Sequence, residues 1–461
     1  MLSVLRQQPG FYRHLAALSL PIVLQNLIST SLGFVDTFMV GLMGSNELSA
    51  VAAANSLLFL LQTAIFGLTS GLSILVSQYW GKGDLRSISR AVGVVLYASL
   101  GLAGTVSLLL GLFPAEAMSL VTDNALLIQL GAPYLRIAGA SYVCNALASV
   151  YVSMERSMEN PALGTAVFAV SVSLNTLLNY CLIFGKFGFP ARGISGAAAA
   201  TLISRFAEIV IVAAYIVTRR KAPLYLRELL CPGLPMLKDF LRYSVLILFN
   251  ECMWALGQTM FTTILGHMPT SADLLAAFAV MSNIDKMSTV ACYGLADATA
   301  IILGKHMGSD SDQDETYHLG CCLLVVAALL GAVISVILAL LLPTVFRPVL
   351  FPLFQLNEYA TFAVTCMCVA YLLQMPCRSF NNAVITGVLR SGGDIQAAIT
   401  VDLIPLWLIS IPLTALLALK LEAAIPLICV GIYCENVCKM PLGILRLRSR
   451  RWINNITRAE N

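Results

Sequence analysis

Apolar runs long enough to cross a bilayer, about 20 residues each, follow one another along almost the whole chain. The pattern predicts spans at Leu15–Met43, Leu48–Gln78, Ile88–Phe113, Ala125–Val152, Ala162–Phe184 and Ile194–Val217. It predicts six more at Leu241–Gly266, Leu274–Leu303, Gly320–Leu342, Ala360–Val388, Ala397–Leu419 and Ala423–Ile444. Gly41, Gly44, Asn46 and Glu47 mark the turn that separates the first two. The expected fold class is an all-α polytopic membrane protein of twelve transmembrane helices.

The longest polar interruption near the middle is Thr218–Asp239, with Arg219-Arg220-Lys221, Pro223, Pro232 and Pro235. It divides the spans six and six, which predicts an N-lobe over residues 1–222 and a C-lobe over residues 223–461. The two halves also repeat. Leu48 to Gly81 aligns without a gap on Leu275 to Gly308, pairing Ala64 with Ala291, Gly67 with Gly294 and Gly81 with Gly308. After the fourth span, Glu155-Arg156-Ser157 and Asn160 correspond to Leu389-Arg390-Ser391 and Asp394 after the tenth. An even number of spans per half makes the repeats parallel, the layout of a carrier whose pseudo-symmetric bundles rock about a central cavity.

Composition agrees with the pattern. Hydrophobic residues make up 58% and charged residues 11% of the chain, where soluble domains carry about 25% charged. With the N-terminus inside, the inner loops collect Arg6, Arg13, Lys82, Arg86, Arg90, Arg156, the linker cluster, Lys305, Arg390 and the tail Arg446, Arg448, Arg450, Arg451 and Arg458. The outer loops hold only Lys186, Arg192, Arg347 and Lys420. That bias puts both termini in the cytoplasm, at the plasma (inner) membrane, and reads the basic tail as a lipid-facing topology signal rather than a nucleic-acid site. The polar start, Met1–Arg13, leads into a full span and not into a cleavable signal peptide. The 13 cysteines are scattered and lack zinc spacing, as buried small hydrophobes would be. No Walker A, Gly-x-Ser-x-Gly or His-Glu-x-x-His pattern occurs, so neither a nucleotide-driven pump nor a hydrolase is indicated. No cofactor is expected beyond a coupling ion.

Ionisable groups inside the spans are costly and call for a partner or a role. Asp36, in the first span, is the leading one: taking it out of water penalises its charged form unless a cation sits beside it, the behaviour a sodium- or proton-coupled carrier uses. Asn175 and Asn179 are four apart on the fifth span and share a face; with Thr201 on the sixth they offer neutral oxygens. One carboxylate, two amide oxygens and a hydroxyl make a hard-ligand set for sodium, with interhelical hydrogen bonding as the simpler reading of the Asn pair. Pro21 removes a backbone donor four turns earlier and is a candidate hinge.

In the second half the leading acid is Glu251, read as an unpaired cavity carboxylate, with Asn250, Asn283 and Trp254 as further cavity candidates. Tyr293, Phe278 and Met260 are candidates for a soft pocket floor suited to flat cations. The spacings Arg205 to Glu208 and Glu435 to Lys439 permit local pairing. Arg136 and Arg378 are expected to reach carbonyls or headgroups, and Asp285, Lys286, Asp297 and Asp402 remain secondary.

The motifs Leu20-Pro21-Ile22, Val35-Asp36-Thr37, Gly67 to Gln78-x-x-Gly81, Gly294 to Gly304-Lys305-x-x-Gly308, Asn175-x-x-x-Asn179 and Gly193-x-x-Gly196-Ala197-Ala198-x-Ala200-Thr201 occur in that order. In them the chain resembles the MATE (multidrug and toxic compound extrusion) transporters, NorM-like in part, over essentially its whole length. The resemblance implies twelve helices in two bundles around a V-shaped cavity, and sodium- or proton-coupled export of cationic amphiphiles by a monomer. It places Asp36, Asn175, Asn179 and Thr201 at the N-lobe cation site, where an acid often stands in place of Asn179. It matches Glu251 to the seventh-helix acid of NorM-like members. The tenth span, Met375 to Asn382, lacks the aspartate those members carry, so no C-lobe sodium site carries over. Two alternatives stay open: a lipid-linked oligosaccharide flippase, which needs a strongly cationic cavity, and a membrane-embedded enzyme, which needs a clustered catalytic set.

Overall fold

The computed structural model describes residues 10–218, 224–354 and 356–457, with the Phe34 side chain left aside. Arg6, Arg219, Arg220, Lys221, Pro223 and Arg458 lie outside the described residues. Among the described residues the chain is helical throughout, without strands. With no water in hydrocarbon, each crossing segment must satisfy its own backbone polar groups, and a helix does so locally.

The helices are α1 (Phe11–Gly41), α2 (Ser45–Lys82), α3 (Leu85–Leu112), the short α4 (Pro114–Ser119), α5 (Ala125–Ser157), α6 (Ala162–Phe184), α7 (Gly193–Thr218) and the short α8 (Leu226–Leu230). They continue with α9 (Leu234–Gly266), α10 (Ser271–Gly308), α11 (Gln313–Leu341), α12 (Phe351–Leu353), α13 (Glu358–Asn382), α14 (Ile395–Ile404), α15 (Ile411–Ala415) and α16 (Ile425–Arg448). Wider π-helical turns at Leu342–Leu350, Ala383–Leu389, Pro405–Ser410 and Leu416–Lys420 extend or join the later helices. Helix starts follow capping chemistry: Asp84 accepts from Ser87 N at 2.9 Å and Asn357 from Ala360 N at 2.7 Å.

Among the described residues, eleven helical segments are long and apolar enough to cross a membrane. The remaining long helix, α9, stands where the seventh span is expected but is more polar, since Asn250, Glu251 and Gln258 interrupt its apolar run. With it, the long helical segments among the described residues number twelve.

The described residues form two compact units, one running from Leu24 to Leu248, the other joining the residues up to Val23 with those from Phe249 onward. The division therefore departs from the expected boundary at residue 222. It falls inside α1, two residues beyond Pro21, and inside α9. The start of α1 (Leu15, Leu18, Ile22) shares a core with Leu295, Leu323 and Val388, whereas its end (Val40) packs with Val51, Leu135 and Ala198.

The repeated glycines explain how this packing is reached. A Cβ on Gly294 would lie 2.4 Å from Val23 Cγ2 and 3.0 Å from Val23 N. Its repeat partner Gly67 faces Leu248 in the same way, at 3.3 Å from the Leu248 Cα. In each unit the glycine of the repeat lies against a neighbouring helix backbone, where a Cβ would be tight at Gly67 and would intrude at Gly294. Gly93 and Gly320, at the same offset, do likewise: the first faces the carbonyl of Leu229 on α8, the second the indole of Trp452. The segment after the sixth long helix thus clasps its own unit twice over, through α8 and through the C-terminal turn. In the first clasp Glu228 hydrogen-bonds Arg90, whose guanidinium holds this carboxylate below its usual range. The turns after α5 and after the π-helical turn Ala383–Leu389 also match: Asn160 N donates to Glu155 O and Asp394 N to Leu389 O, both at 2.9 Å.

Gly294→Ala is expected to destabilise the protein by about 1–3 kcal/mol through overpacking against Val23. Gly101→Ala, which meets open space, is expected to be neutral or slightly stabilising. Thermal unfolding of both variants in one detergent checks this, and equal stabilities would remove the packing role.

Candidate functional site

In the unit from Leu24 to Leu248, helices α1, α6 and α7 bring together the four residues that the sequence grouped. The one-turn spacing of Asn175 and Asn179 places both amides on one face of α6, and Asn179 Nδ2 donates to Asn175 Oδ1 at 3.0 Å. The same Nδ2 donates to Asp36 Oδ1 on α1 at 2.5 Å. Asn175 Nδ2 in turn donates to Thr201 Oγ1 on α7 at 3.3 Å. Close helix approach makes this possible. Gly196 lets α7 lie directly on α6, since a Cβ there would sit 2.5 Å from Leu182 O, and the small residues that follow carry Thr201 to Asn175.

Both asparagines are fully buried, and Asp36 is half-buried. Asp36 has no ion-pair partner within 4.0 Å among the described residues, and Asn179 Oδ1 receives no hydrogen bond. The Asn179 NH₂ group lies between two oxygens, Asp36 Oδ1 and Asn175 Oδ1. If that amide turned over, its oxygen would take the place of the NH₂ and face Asp36 Oδ1 and Asn175 Oδ1, three oxygens that only a small cation between them would hold together. One turn along α6, Ser171 donates to Glu208 Oε1 at 2.6 Å, and Arg205 pairs with the same carboxylate at 2.9 Å. The pairing of Arg205 with Glu208 is as the spacing implied. Ser171 was not singled out, although its place four residues before Asn175 was the available signal.

The other unit is built differently. Its cavity is lined by Glu251 and Trp254 of α9, Tyr293 of α10, Arg378 and Asn381 of α13, Asp402 of α14, Glu435 and Lys439 of α16, and Arg390, among others. Glu251 is not the unpaired acid that was expected. Arg390 Nη2 donates to its Oε1 at 2.8 Å. Arg390 itself was placed in an inner loop as a topology charge, yet it is buried. The α-helix gives way to a π-helical turn at Ala383–Leu389 just before it, widening the helix beside the cavity. Arg378 does not reach for headgroups but pairs with Asp285 at 3.0 Å. Lys439 approaches Glu435 at 3.4 Å, as the spacing allowed, but its shorter contact is to Asp402 at 2.9 Å. Asn250 donates to the other Asp402 oxygen at 2.9 Å and so lies behind the cavity wall.

Trp254 and Tyr293 line the cavity; Asn283, Phe278 and Met260 do not. Asn283 stands on α10, half-buried, and Phe278 packs into the core around Phe261 and Met281. All 13 cysteines are free. No group of three or more His, Cys, Asp or Glu residues is arranged to hold a metal among the described residues.

The sequence matches the MatE family over residues 21–181 and 247–416. It is 24% identical over 310 residues to a probable multidrug resistance protein NorM of Thermotoga maritima, spanning 65% of this chain and 64% of that protein. It is 22% identical over 440 residues to the uncharacterized transporter YisQ of Bacillus subtilis strain 168, spanning 95% and 94%. A MATE protein solved in complex with MaL6 superposes with a TM-score of 0.85 at 18% identity, over 98% of this chain and 99% of that one. A MOP superfamily transporter from Pyrococcus furiosus, described as having a binding pocket of reversed polarity and a different function, superposes with a TM-score of 0.83 at 19% identity over 97% of both. At such identities the likeness to solved structures speaks for the fold.

Arg390→Met is expected to destabilise the chain by about 3 kcal/mol, because it leaves Glu251 facing the cavity without its cation. The double variant Glu251→Gln/Arg390→Met is expected to recover much of that loss. Unfolding midpoints of the two singles and the double form the cycle that measures it, and strictly additive losses would contradict the pairing.

Proposed function

The chain belongs to the MatE family, and from that premise we propose that it is an efflux antiporter of the cytoplasmic membrane. It exports organic cations in exchange for sodium ions or protons. The observation that carries this reading is the setting of Asp36. Every carboxylate around the cavity of the other unit is matched to a base, whereas Asp36 is held by the uncharged amide of Asn179. A carboxylate in a membrane-spanning helix with only neutral partners is the group whose charge an arriving cation changes most.

The proposed cycle uses that difference. Substrate occupies the protein while Asp36 is anionic. A sodium ion or proton then binds at Asp36, where a turned Asn179 amide with Asn175 and Thr201 supplies neutral oxygens for the former. Removing the charge relaxes the grip of Asp36 on Asn179 and reshapes α1, with Pro21 as the candidate hinge. The ion favours one of two states and the substrate the other, which is sufficient for coupled alternating access. Relatives named multidrug resistance proteins support the export of small drug-like molecules. The flippase reading has less support, because the cavity bases that would attract a pyrophosphate are each already matched by carboxylates.

Asp36→Asn is expected to insert normally and to lose ethidium efflux from proteoliposomes, whichever gradient is imposed. Normal gradient-driven efflux by that variant would overturn the coupling role. Asn179→Ala separates the two ions. With sodium coupling, the sodium concentration giving half-maximal efflux should rise roughly 10- to 100-fold, the usual cost of losing a supporting group. With proton coupling, efflux under a proton gradient should persist.

A further inference from the structure

The polar groups between α6 and α7 form a ladder with two ends. Ser171, Asn175 and Asn179 follow at four-residue steps on one face of α6, and Thr201, Arg205 and Glu208 share one face of α7. At one end Asp36 is linked through Asn179 and Asn175 to Thr201. At the other, buried Glu208 accepts from Ser171 at 2.6 Å, and both its oxygens accept from Arg205 Nη1, at 2.9 and 3.2 Å. Arg205 stands between the ends, about 6 Å beyond Thr201 and about 4.5 Å before Glu208 along the helix axis.

The hold of Arg205 on Glu208 is partial. Only Nη1 is engaged; Nε and Nη2 donate to nothing among the described residues, and 20% of the side chain is exposed. A helical side chain leans toward the N-terminal turn, so the ordinary reach of Arg205 is toward Thr201 and Asp36 rather than toward Glu208. A base that precedes its acid along a helix is also the weaker order of such a pair. Asp36 has a place for the guanidinium: Asn179 meets its Oδ1, and its Oδ2 receives no hydrogen bond among the described residues. The charge of Arg205 already acts on Asp36. When ionised, Asp36, Arg205 and Glu208 together carry one negative charge, the complement of one monovalent cation.

We propose that Arg205 is a tethered counter-ion that competes with the coupling ion for Asp36. In the ion-free state the guanidinium moves from Glu208 to Asp36 Oδ2, while Ser171 keeps its bond to Glu208. An arriving coupling ion displaces it, and it returns to Glu208. The charge on Asp36 is then never left bare, and the ion leaves because a cation held at high effective concentration takes its place. Arg205 is a positioning residue in this scheme: it sets how tightly the ion is held. The proposal rests on the reading of Asp36 as the ion site, but ion binding can be measured without transport.

The test titrates sodium at fixed pH, and pH without sodium, with two readouts. One is ethidium efflux from proteoliposomes; the other is thermal stabilisation of the full chain in lipid nanodiscs, counted as the part absent from Asp36→Asn. Arg205→Gln is expected to bind the ion roughly tenfold more tightly and to slow efflux at saturating ion, because release loses its competitor. Glu208→Gln is expected to weaken ion binding roughly tenfold, because Arg205 then stays on Asp36. Arg205→Lys keeps a tethered charge and is expected to restore most of the original ion dependence. Should Arg205→Gln fail to fold with Glu208 uncompensated, the double variant Arg205→Gln/Glu208→Gln removes both charges and carries the same expectation of tight binding. Ion binding unchanged in either single variant, or shifted the same way in both, overturns the proposal. Opposed shifts in a chain that exports no drug would sink the efflux reading and leave the competition standing. Gradient-driven efflux with unmoved ion dependence would do the reverse, and a chain whose Asp36 binds neither ion loses both.

Discussion

A polar side chain in a membrane-crossing helix has no water to turn to, so whatever it bonds must come from another helix. In this chain that requirement is met in two ways. In the unit from Phe249 onward, charge is set against charge: Glu251 on Arg390, Asp285 on Arg378, Asp402 and Glu435 on Lys439. In the unit from Leu24 to Leu248, Glu208 also pairs with a base, Arg205, but two carboxylates rest on neutral groups: Asp36 on the line Asn179, Asn175 and Thr201, and Glu155 on Tyr151 and Asn160. Buried ion pairs are expensive to form but costly to break, which suits a fixed framework. A carboxylate on neutral amides changes its partners with much less disruption, which suits a group that exchanges an ion.

Both arrangements depend on helices lying closer than ordinary side chains permit. Gly196 brings α7 onto α6 and so brings Thr201 to Asn175. Gly67 and Gly294 admit the backbones of α9 and α1 at equivalent places, and Gly93 and Gly320 seat the two clasps. The repeat therefore conserves surfaces of approach between its two copies and leaves the chemistry free to differ. Around this shared frame the first copy acquired Asp36 without a base beside it, and the second acquired Glu251 with one.

Hydropathy and charge alone sufficed for the helical membrane class, the order of the spans and the presence of a repeat. The reason is physical: a crossing helix is specified by its own length and apolarity, and these are local properties of the chain. Local spacing also made the asparagine pair on α6 and the Arg205–Glu208 pair legible, because residues three or four apart share a helix face. The C-terminal end of α9 falls at the expected Gly266. The helix starts at Leu234, ahead of the expected Leu241, because polar residues such as Lys238, Asp239 and Arg242 hide its first turns from a hydropathy reading.

Contacts between distant segments were decided only by tertiary structure. Nothing in the spacing links Glu251 to Arg390, 139 residues away, or Lys439 to Asp402, 37 away. Arg390 looked like a loop charge, yet it is buried against Glu251. The same holds for the division of α1 and α9 between units, since a boundary inside a continuous helix has no composition signal. What the chain states by itself is which segments must be helices in lipid and which polar groups will need partners there. Which partner each one finds depends on how closely the helices pack, and that is a property of the folded assembly of helices rather than of any one of them.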